Sequence, residues 1–343
     1  MDPTKFIQTY LTGSPESQFH GREVTMVDQW EGSDNLLWLV ECQGEEAVAK
    51  LYLDAGQIRS RREYDGQYLF SRDGLAPRPR WREQDPPGLP RPILVYQWMP
   101  GEPLDSEDPG QVTDLALAVA RIHSVDANLT RGFCPHPINL SYSWKLLSQG
   151  VTQIDGWLSA RGADQVQVAF AHLAGHALTL VNRALPLWKA APSAPVHGDL
   201  KLENMIHSRG RTVLLDWEQF GLGDPALDAA TFLHVNRQEL DGAMQARWLE
   251  TYLAAVDQPG LAERIDVYDK LLPFQAVCFL LDGLRETLLG DEWTQAGPEA
   301  MEATRQFLTE TIAASWRHAA QKLDCREVVG EGEVAALFGE GKN

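Results

Sequence analysis

The chain lacks the features that mark a membrane, secreted or metal-cluster protein. None of its apolar runs approaches the ~18 residues that a membrane-spanning helix needs. Its first residues do not join a basic segment to an apolar core, so no secretory signal is expected. The 343 residues include only four cysteines, and their spacing is not that of a metal site. We therefore expect free thiols in a cytoplasmic protein.

Basic residues are also scarce relative to acidic ones. The chain has 30 lysines and arginines against 48 aspartates and glutamates, which gives a net charge of −18 at pH 7. Nucleic acids and anionic membranes bind basic surfaces, so neither is expected as a main partner. The acidic balance is compatible with a cationic substrate, although it serves solubility equally well. The length suits one large two-lobed domain or two domains.

One short segment carries most of the chemistry in this sequence. His197, Gly198 and Asp199 lead into a loop in which Asn204 follows five residues after the aspartate. Asp216 comes twelve residues after Asn204, at the end of an apolar run. Phosphoryl transfer from a nucleotide needs such a set, because one group orients the attacking hydroxyl while others hold magnesium. Asp199 is therefore the candidate catalytic base, and Asn204 and Asp216 are the candidate metal ligands.

The residues between Asn204 and Asp216 predict a β-hairpin. The runs 205–207 and 211–215 are apolar or β-branched, and a turn containing Gly210 separates them. Because a hairpin brings its two outer ends together, Asn204 and Asp216 should lie close enough to share a metal ion. Two oxygen donors, completed by phosphate and water, suit Mg²⁺. The alternative is a solvated polar turn beside an ordinary hairpin.

The same residues carry a resemblance to a known family. The segments 197–204, 214–218 and 223–228 are similar to those of the aminoglycoside phosphotransferase family, which includes choline, ethanolamine, thiamine, homoserine and sugar kinases. The resemblance covers roughly residues 20 to 320 and is strongest in the catalytic segment. It implies an α+β, protein-kinase-like bilobal fold with an antiparallel-sheet N-terminal lobe and a mainly helical C-terminal lobe.

The resemblance also implies domain boundaries. Residues 1–97 should form the nucleotide-binding lobe, 98–326 the catalytic and acceptor-binding lobe, and 327–343 a tail that is mobile or docks locally. Apolar periodicity predicts several long helices in the second lobe. These helices span residues 140–160, 163–188, 236–256, 264–290 and 298–322.

Three short runs near the start of the chain predict antiparallel strands, at residues 24–27, 36–40 and 47–53. The loop between the first two runs contains Ser33. In a kinase this loop covers the nucleotide phosphates with backbone N–H groups, so Ser33 is a candidate nucleotide contact. The loop has one glycine only, and a plain hairpin turn would have the same composition.

Lys50 is the stronger candidate in this lobe, because it lies in an otherwise apolar strand, where burying an unpaired charge would be costly. The resemblance implies that Lys50 contacts the nucleotide phosphates and pairs with Glu63. Glu63 lies in a helix predicted over residues 57–70, although Gly66 weakens that helix. The alternatives are an edge-strand charge for Lys50 and a surface ion pair for Glu63.

An apolar strand within residues 92–101 stops at a Pro-Gly pair and resembles the interlobe hinge of kinases. The resemblance implies nucleotide contacts from the Gln97 carbonyl and the Met99 amide, with Tyr96 lining the back of the adenine pocket. An ordinary strand followed by a turn would have the same pattern. Because backbone groups recognise the base in such a hinge, GTP stays open as a donor beside ATP.

Three further residues near the motif are predicted to have supporting roles. His197 should hold the catalytic loop through hydrogen bonds, while Asp224 and Asp228 should brace that loop and cap the following helix. Gly198 stands where regulated protein kinases carry an arginine, and no A-P-E segment follows. Both features favour a constitutively active small-molecule kinase over a protein kinase.

Acidic and aromatic residues predict where a cationic acceptor could bind. Glu218 directly follows the Asp-Trp pair of the motif, and Asp282 and Glu286 share one face of a predicted helix, with Trp293 shortly after. Carboxylates and aromatic rings suit an ammonium group. The alternative is a solvated helix face, since Arg285 is adjacent.

Together these observations predict an ATP- and Mg²⁺-dependent phosphotransferase that transfers the γ-phosphate to a hydroxyl of a small molecule. An aminoglycoside, an amino sugar or a choline-like acceptor is favoured over a neutral sugar or a homoserine-like alcohol. The alternative from a different class is a kinase-like nucleotide-binding regulatory protein without turnover. Both a monomer and a homodimer agree with the sequence.

Overall fold

A computed structural model gives the structure of the chain. The structure describes residues 3–32, 34–54, 58–89, 91–130, 134–290 and 297–339. Within these ranges no helix combines the length and the apolar character that crossing a membrane would require.

The chain forms two compact units, each assembled from several segments. The first comprises Met1–His136, Ser193–Asp228 and Asn236–Asp257, and the second comprises Pro137–Pro192, Ala229–Val235 and Gln258–Asn343. The division into lobes at residues 97 and 98 stays a prediction.

The first unit begins with a five-stranded antiparallel sheet in the spatial order β1–β2–β3–β5–β4. The strands are β1 (Thr25–Glu31), β2 (Asn35–Cys42), β3 (Glu45–Tyr52), β4 (Pro79–Glu83) and β5 (Ile93–Gln97). Each pair of neighbouring strands is antiparallel. The three strands predicted from the first 53 residues correspond to β1, β2 and β3, so the predicted antiparallel N-terminal sheet is confirmed.

Alternation along β3 sends its side chains to two different faces of the sheet. Ala49 and Leu51 pack into an apolar core that also contains residues of α1 (Pro3–Gly13). Lys50 and Tyr52 therefore point to the opposite face, and both are buried there. The helix α1 is not among the elements predicted from the sequence. It matters for the site because it covers the face of the sheet that Lys50 does not use.

The helix α2 (Arg59–Phe70) contains the glycine that lowers its helix propensity. A β-carbon on Gly66 would lie 2.8 Å from the Trp217 ring and 2.9 Å from the Phe220 ring. The Phe70 and Trp217 rings stack with their centroids 4.9 Å apart. Gly66 is therefore needed for the close approach of α2 to the segment that follows Asp216.

The remaining strands of the first unit form two small sheets. One contains β6 (Glu102–Pro103), β8 (Met205–Ser208) and β9 (Arg211–Leu214), and the other pairs β7 (Ala194–Val196) with β10 (Gly221–Gly223). Strands β8 and β9 pair in antiparallel register from Met205 and Leu214 to Ser208 and Arg211. The predicted hairpin is therefore confirmed. Helices α3 (Pro109–His123) and α7 (Gly242–Ala255) pack together beside these strands, and α6 (Pro225–Val235) follows β10 in the chain.

The described residues of the second unit contain helices and no strand. Its helices are α4 (Leu140–Ala160), α5 (Asp164–Ala184), α8 (Leu261–Leu289), α9 (Pro298–Lys322) and α10 (Glu331–Ala336), together with Ala229–Val235 of α6. Helices α4, α5 and α9 all pack against α8, and the rings of Phe170, Phe274 and Trp316 meet in their core. The helix bounds follow the apolar periodicity closely, which confirms the predicted mainly helical C-terminal part. α10 lies within the predicted tail, whose mobility stays a prediction.

Candidate active site

Lys50 is the centre of a buried group of charges in the first unit. Its ammonium lies 2.7 Å from Glu63 Oε2 and 2.6 Å from Asp216 Oδ1. A third carboxylate, that of Glu218, is 3.5 Å away. The three carboxylates come from α2 and from the segment after β9, so the cluster exists only in the folded chain.

Burial and ion pairing have opposing effects on the pKa values of this cluster. Burial acts against a charge on Lys50, but Glu63 and Asp216 outweigh it and raise its pKa well above the ordinary value. Burial also acts against ionisation of Asp216, yet Lys50 lowers its pKa below the ordinary value. Burial raises the pKa of Glu63 to about 7, although Lys50 opposes the shift. Lys50 is therefore a cation, and Asp216 an anion, at neutral pH.

Asp216 adopts an unusual backbone conformation, with φ 58° and ψ 61°. This left-handed region is costly for most residues and more readily adopted by aspartate. Neighbouring contacts hold the segment in place, since the Leu215 N–H donates to the Asn204 carbonyl at 2.8 Å. The ends of the β8–β9 hairpin thus bring Asn204 and Asp216 side by side, as the sequence predicts.

Asp199 lies at the other side of Asn204. The Asn204 amide nitrogen donates to Asp199 Oδ2 at 3.1 Å and to the Asp199 carbonyl at 3.1 Å. Asp199 Oδ1 is 3.2 Å from the Lys201 ammonium. The Asp199 side chain keeps 26% of its surface exposed, so a small molecule can reach it. The sequence motif contains Lys201, but no signal in it identified this contact.

His197 connects the catalytic loop to the residue before Asp216. Its Nδ1 accepts a hydrogen bond from the Asp199 N–H at 3.3 Å. Its Nε2 therefore carries the proton and donates to the Leu215 carbonyl at 2.9 Å. Burial lowers the pKa of His197, which keeps the ring neutral. The supporting role of His197 in the loop stays a prediction, for which these two hydrogen bonds provide the contacts.

Gly198 has φ +85°, a conformation that L side chains rarely adopt. A β-carbon there would lie 2.6 Å from the Gln219 carbonyl oxygen. The loop therefore excludes the arginine that regulated protein kinases carry at this position, for steric as well as conformational reasons.

Asp228 is in the first turn of α6 and accepts hydrogen bonds from the N–H groups of His197 and Gly198, at 3.2 and 3.1 Å. Its Oδ2 also lies 3.1 Å from Nε2 of His123. Burial acts against its charge, but the bond from His123 lowers the pKa of Asp228 below the ordinary value. Asp224 accepts from the Ala226 N–H at 3.0 Å, at the start of the same helix. Asp228 thus contacts the catalytic loop and Asp224 the start of α6; their bracing and capping roles stay a prediction.

Asn236 is a buried residue that no sequence pattern marks as part of the site. Its Oδ1 accepts from the Leu202 N–H at 3.0 Å, and its Nδ2 donates to the Leu200 carbonyl at 3.3 Å. Asn236 thus clamps the loop between Asp199 and Asn204. No spacing rule would have identified it, because it lies more than thirty positions away in the chain.

A cavity of about 290 Å³ opens beside β5 in the first unit. Tyr96, Gln97 and Met99, the three predicted hinge contacts, all line it. Trp30 and Trp98 also line it, and their rings stack with centroids 5.8 Å apart and planes 6° apart. No pattern in the sequence predicts this tryptophan pair.

The other predicted site residues fall into three groups. Glu218 lies in the first unit, within 3.4 Å of Arg59 as well as near Lys50. Asp282 and Glu286 lie on α8 of the second unit, where Arg285 pairs with both at 2.8 and 2.7 Å. Ser33 and Trp293 lie outside the described residues.

Several known proteins are similar to this chain in sequence or in structure. Viomycin phosphotransferase from Streptomyces vinaceus is 30% identical over 190 residues, a match covering 51% of this chain and 58% of that protein's length. A choline/ethanolamine kinase family protein from Mesorhizobium loti has a similar structure, with a TM-score of 0.59, 15% identity and 98% of both chains covered. An aminoglycoside phosphotransferase from Alicyclobacillus acidocaldarius gives a TM-score of 0.53 at 15% identity, covering 88% of this chain and 94% of that one.

At such low identity the two structures establish the fold, and they confirm the predicted protein-kinase-like class. A model of the phosphotransferase enzyme family matches residues 29–265, which is more than half of the sequence. The chain belongs to the phosphotransferase enzyme family.

Proposed function

We propose that the chain is a Mg²⁺-dependent kinase that transfers the γ-phosphate of ATP to a hydroxyl of a small molecule. The observation that carries this proposal is the contact between the buried Lys50 ammonium and the partly exposed Asp216 carboxylate, which are 166 positions apart in the chain. Phosphoryl transfer needs a cation for the phosphates beside a carboxylate for the metal. A purely structural role would not require a buried lysine among three carboxylates, because burying charges is costly.

The cavity beside β5 supports a nucleobase site. The N–H groups of Gln97 and Trp98 already donate to the carbonyls of Arg78 and Glu46, at 2.9 and 3.4 Å. For the Met99 N–H, no acceptor is found in the part of the chain that the structure describes. Met99 is therefore the hinge donor that a base acceptor would use, and the Trp98 and Trp30 rings offer apolar walls.

The residues around Lys50 fit a divalent cation. Oxygen atoms of Glu63, Asp216 and Glu218 lie within 4.8 Å of one another. The buried Oε2 of Glu218 has no partner of good hydrogen-bond geometry among the described residues, and the Lys50 ammonium lies 3.5 Å from it. Asn204 turns its amide nitrogen toward Asp199, which leaves its oxygen for a cation. Asp216 and Asn204 would hold Mg²⁺, which when bound neutralises charge on the phosphate oxygens.

Asp199 suits the role of the base. Its partly exposed carboxylate can accept a hydrogen bond from an incoming hydroxyl, and Asn204 fixes its orientation. Asp199 would orient that hydroxyl and take its proton late, because an alcohol has a much higher pKa than a carboxylic acid. Lys201, 3.2 Å from the carboxylate, would reduce the negative charge that a phosphate group meets on approach.

The acceptor is proposed to carry an ammonium group. The net charge of −18 favours a cation over an anion. The names of similar proteins include choline, ethanolamine and aminoglycosides, which are amine-bearing alcohols. Asp282 and Glu286 remain proposed acceptor contacts, as does Glu218. For the first two, the pairing with Arg285 offsets part of the charge.

The decisive experiment compares the wild type with Asp199→Asn on a panel of aminoglycosides, amino sugars and choline. We expect the substitution to lower the transfer rate about 10²–10⁴-fold, because the hydroxyl loses its proton acceptor. Affinity for Mg·ADP should stay within about threefold, since Asp199 is proposed to act on the acceptor. Loss of nucleotide binding would contradict the base assignment.

Glu203→Gln provides the matched control, because Glu203 belongs to the same loop and its side chain is 74% exposed. Its transfer rate should equal that of the wild type. Binding of Mg·ATP without transfer to any acceptor of the panel would favour the regulatory alternative over the kinase.

A further inference from the structure

Tyr52 is a second side chain on the face of β3 that carries Lys50. The two residues are separated by one position in the strand, so their side chains point the same way. Both are 2% exposed. The sequence pattern draws attention to the lysine, because a buried charge is rare, and gives no reason to select the tyrosine.

The hydroxyl of Tyr52 donates to Glu63 Oε2 at 2.6 Å. The Lys50 ammonium donates to the same oxygen at 2.7 Å. The other oxygen, Oε1, accepts from the Gln67 amide at 3.2 Å. The Glu63 carboxylate is thus held from three directions by buried partners, and one of these is the residue that faces the proposed phosphate site.

Tyr52 also contacts Lys50 directly through its ring. The ammonium lies 5.2 Å from the ring centroid, within the range of a cation–π contact. Tyr52 therefore touches both members of the Lys50–Glu63 pair, one with its hydroxyl and one with its ring. The Lys50 ammonium has three N–H donors, and Glu63 and Asp216 accept from two of them. The Tyr52 hydroxyl fills a further acceptor position of Glu63, so the remaining ammonium proton can be directed at a phosphate.

We propose that Tyr52 is a positioning residue that holds the Glu63 carboxylate and the Lys50 ammonium in the arrangement that nucleotide phosphates require. The proposal rests on the proposed kinase function. It concerns a residue that does not itself contact the nucleotide, so its effect must be separated from that of an ordinary buried tyrosine.

The other face of the sheet offers a matched comparison. Tyr10 of α1 is 3% exposed, and its hydroxyl donates to Glu83 Oε2 at 2.6 Å. The donor, acceptor and distance of this bond equal those of the Tyr52–Glu63 bond. The Tyr10 hydroxyl also accepts a hydrogen bond from Trp81 Nε1 at 3.2 Å. Tyr10 and Glu83 have no contact with Lys50 among the described residues, so they report the structural contribution alone.

The experiment measures Mg·ADP binding by calorimetry and thermal unfolding for the wild type, Tyr52→Phe and Tyr10→Phe. Both substitutions should lower Tm, and Tyr10→Phe at least as much as Tyr52→Phe, because Tyr52→Phe removes one hydrogen bond of the hydroxyl and Tyr10→Phe removes two. Tyr52→Phe should weaken nucleotide binding about tenfold, since hydrogen bonds to charged groups contribute about that factor or more. Tyr10→Phe should leave the Kd within about twofold. Tyr52→Leu, which also removes the ring beneath Lys50, should weaken binding further.

An unchanged Kd for Tyr52→Phe, with a lowered Tm, would show that Tyr52 is only structural and would overturn the proposal. If the wild type itself binds no nucleotide, the proposed function is wrong and the positioning role falls with it. The two failures are therefore distinguishable.

Should Tyr52→Phe not fold because it leaves the buried Glu63 carboxylate short of a donor, Glu63→Gln removes that charge. Glu63→Gln and the double variant Glu63→Gln/Tyr52→Phe then give the answer. Glutamine removes the buried charge that the hydroxyl serves, so the proposal requires the same Kd for both proteins. A further loss of affinity in the double variant would mean that Tyr52 acts by a route other than Glu63, and would contradict the proposal.

Discussion

Two groups of charged side chains in this protein have ion pairs of similar N···O distance, but they differ in their exposure to solvent. Around Lys50 the paired carboxylates lie 13 and 166 positions away in the chain, and the Lys50, Glu63 and Asp216 side chains are 3%, 0% and 31% exposed. Around Arg285 the carboxylates of Asp282 and Glu286 are three positions and one position away, and they are 43% and 67% exposed. Every one of these pairs is within 2.8 Å. Distance alone therefore does not distinguish them.

The two groups should respond differently when the cation of an ion pair is removed. A buried carboxylate without its cation has no water to replace it, so its loss is costly. An exposed carboxylate is solvated at once, and surface pairs contribute little. The Lys50 cluster must therefore be preserved by the fold, whereas the Arg285 group can open whenever a ligand competes for it.

The largest test of this comparison is Lys50→Met. It leaves Glu63, Asp216 and Glu218 without their shared cation, so the free energy of unfolding should fall by about 3–5 kcal/mol. Urea denaturation at pH 7 without nucleotide measures this change. The double variant Lys50→Met/Glu63→Gln should recover part of the loss, because it removes one of the buried charges. A loss below about 1 kcal/mol would place the cluster in the same class as a surface ion pair.

A second test compares one glycine in the helix of each group. Gly66→Ala in α2 should destabilise the protein by about 1–3 kcal/mol, because the new β-carbon would overlap the Trp217 and Phe220 rings. Gly283→Ala in α8 meets no atom within 4 Å. It should stabilise the protein by about 0.5–1 kcal/mol through helix propensity. Thermal unfolding measures whether each variant is less or more stable than the wild type. If both variants changed stability in the same direction, the packing argument for Gly66 would be refuted.

The smallest expected effect is that of Arg285→Gln. Both partners of Arg285 are well exposed, so the free energy of unfolding should change by less than about 0.5 kcal/mol. The urea series used for Lys50→Met provides the measurement. A loss above about 2 kcal/mol would mean that the α8 carboxylates are structural partners of Arg285, which would weaken the case for them as acceptor contacts.

Much of the fold and the centre of the site could be predicted from the sequence, because both rest on local patterns. The β8–β9 hairpin follows from two β-branched runs around a glycine turn, and its closed end-to-end geometry brings Asn204 and Asp216 together. Lys50 was identifiable because a charge interrupts an apolar strand. The pairing of Lys50 with Glu63 required the family resemblance, since nothing in the spacing of 13 residues specifies it.

Other features could not be predicted, because they depend on contacts between distant segments. Asn236 reaches back to the catalytic loop from beyond α6. The packing of Trp217 and Phe220 against Gly66 gives a reason for a glycine that helix propensity counts as unfavourable. The helix α1 covers one face of the sheet, and no sequence pattern predicted it. Periodicity describes which face of an element is apolar, and not which distant residue will meet it.

The sequence by itself determined the type of chemistry: an aspartate, an asparagine and a second aspartate at fixed spacings, with a lysine in an apolar strand. These features are local, because strand alternation and turn geometry act over a few residues. Only the tertiary structure decided how the charges pair, which glycines are needed for close packing, and that Tyr52 shares Glu63 with Lys50. Those outcomes depend on burial, and burial is a property of the folded chain, because it removes the water that would otherwise solvate each charge.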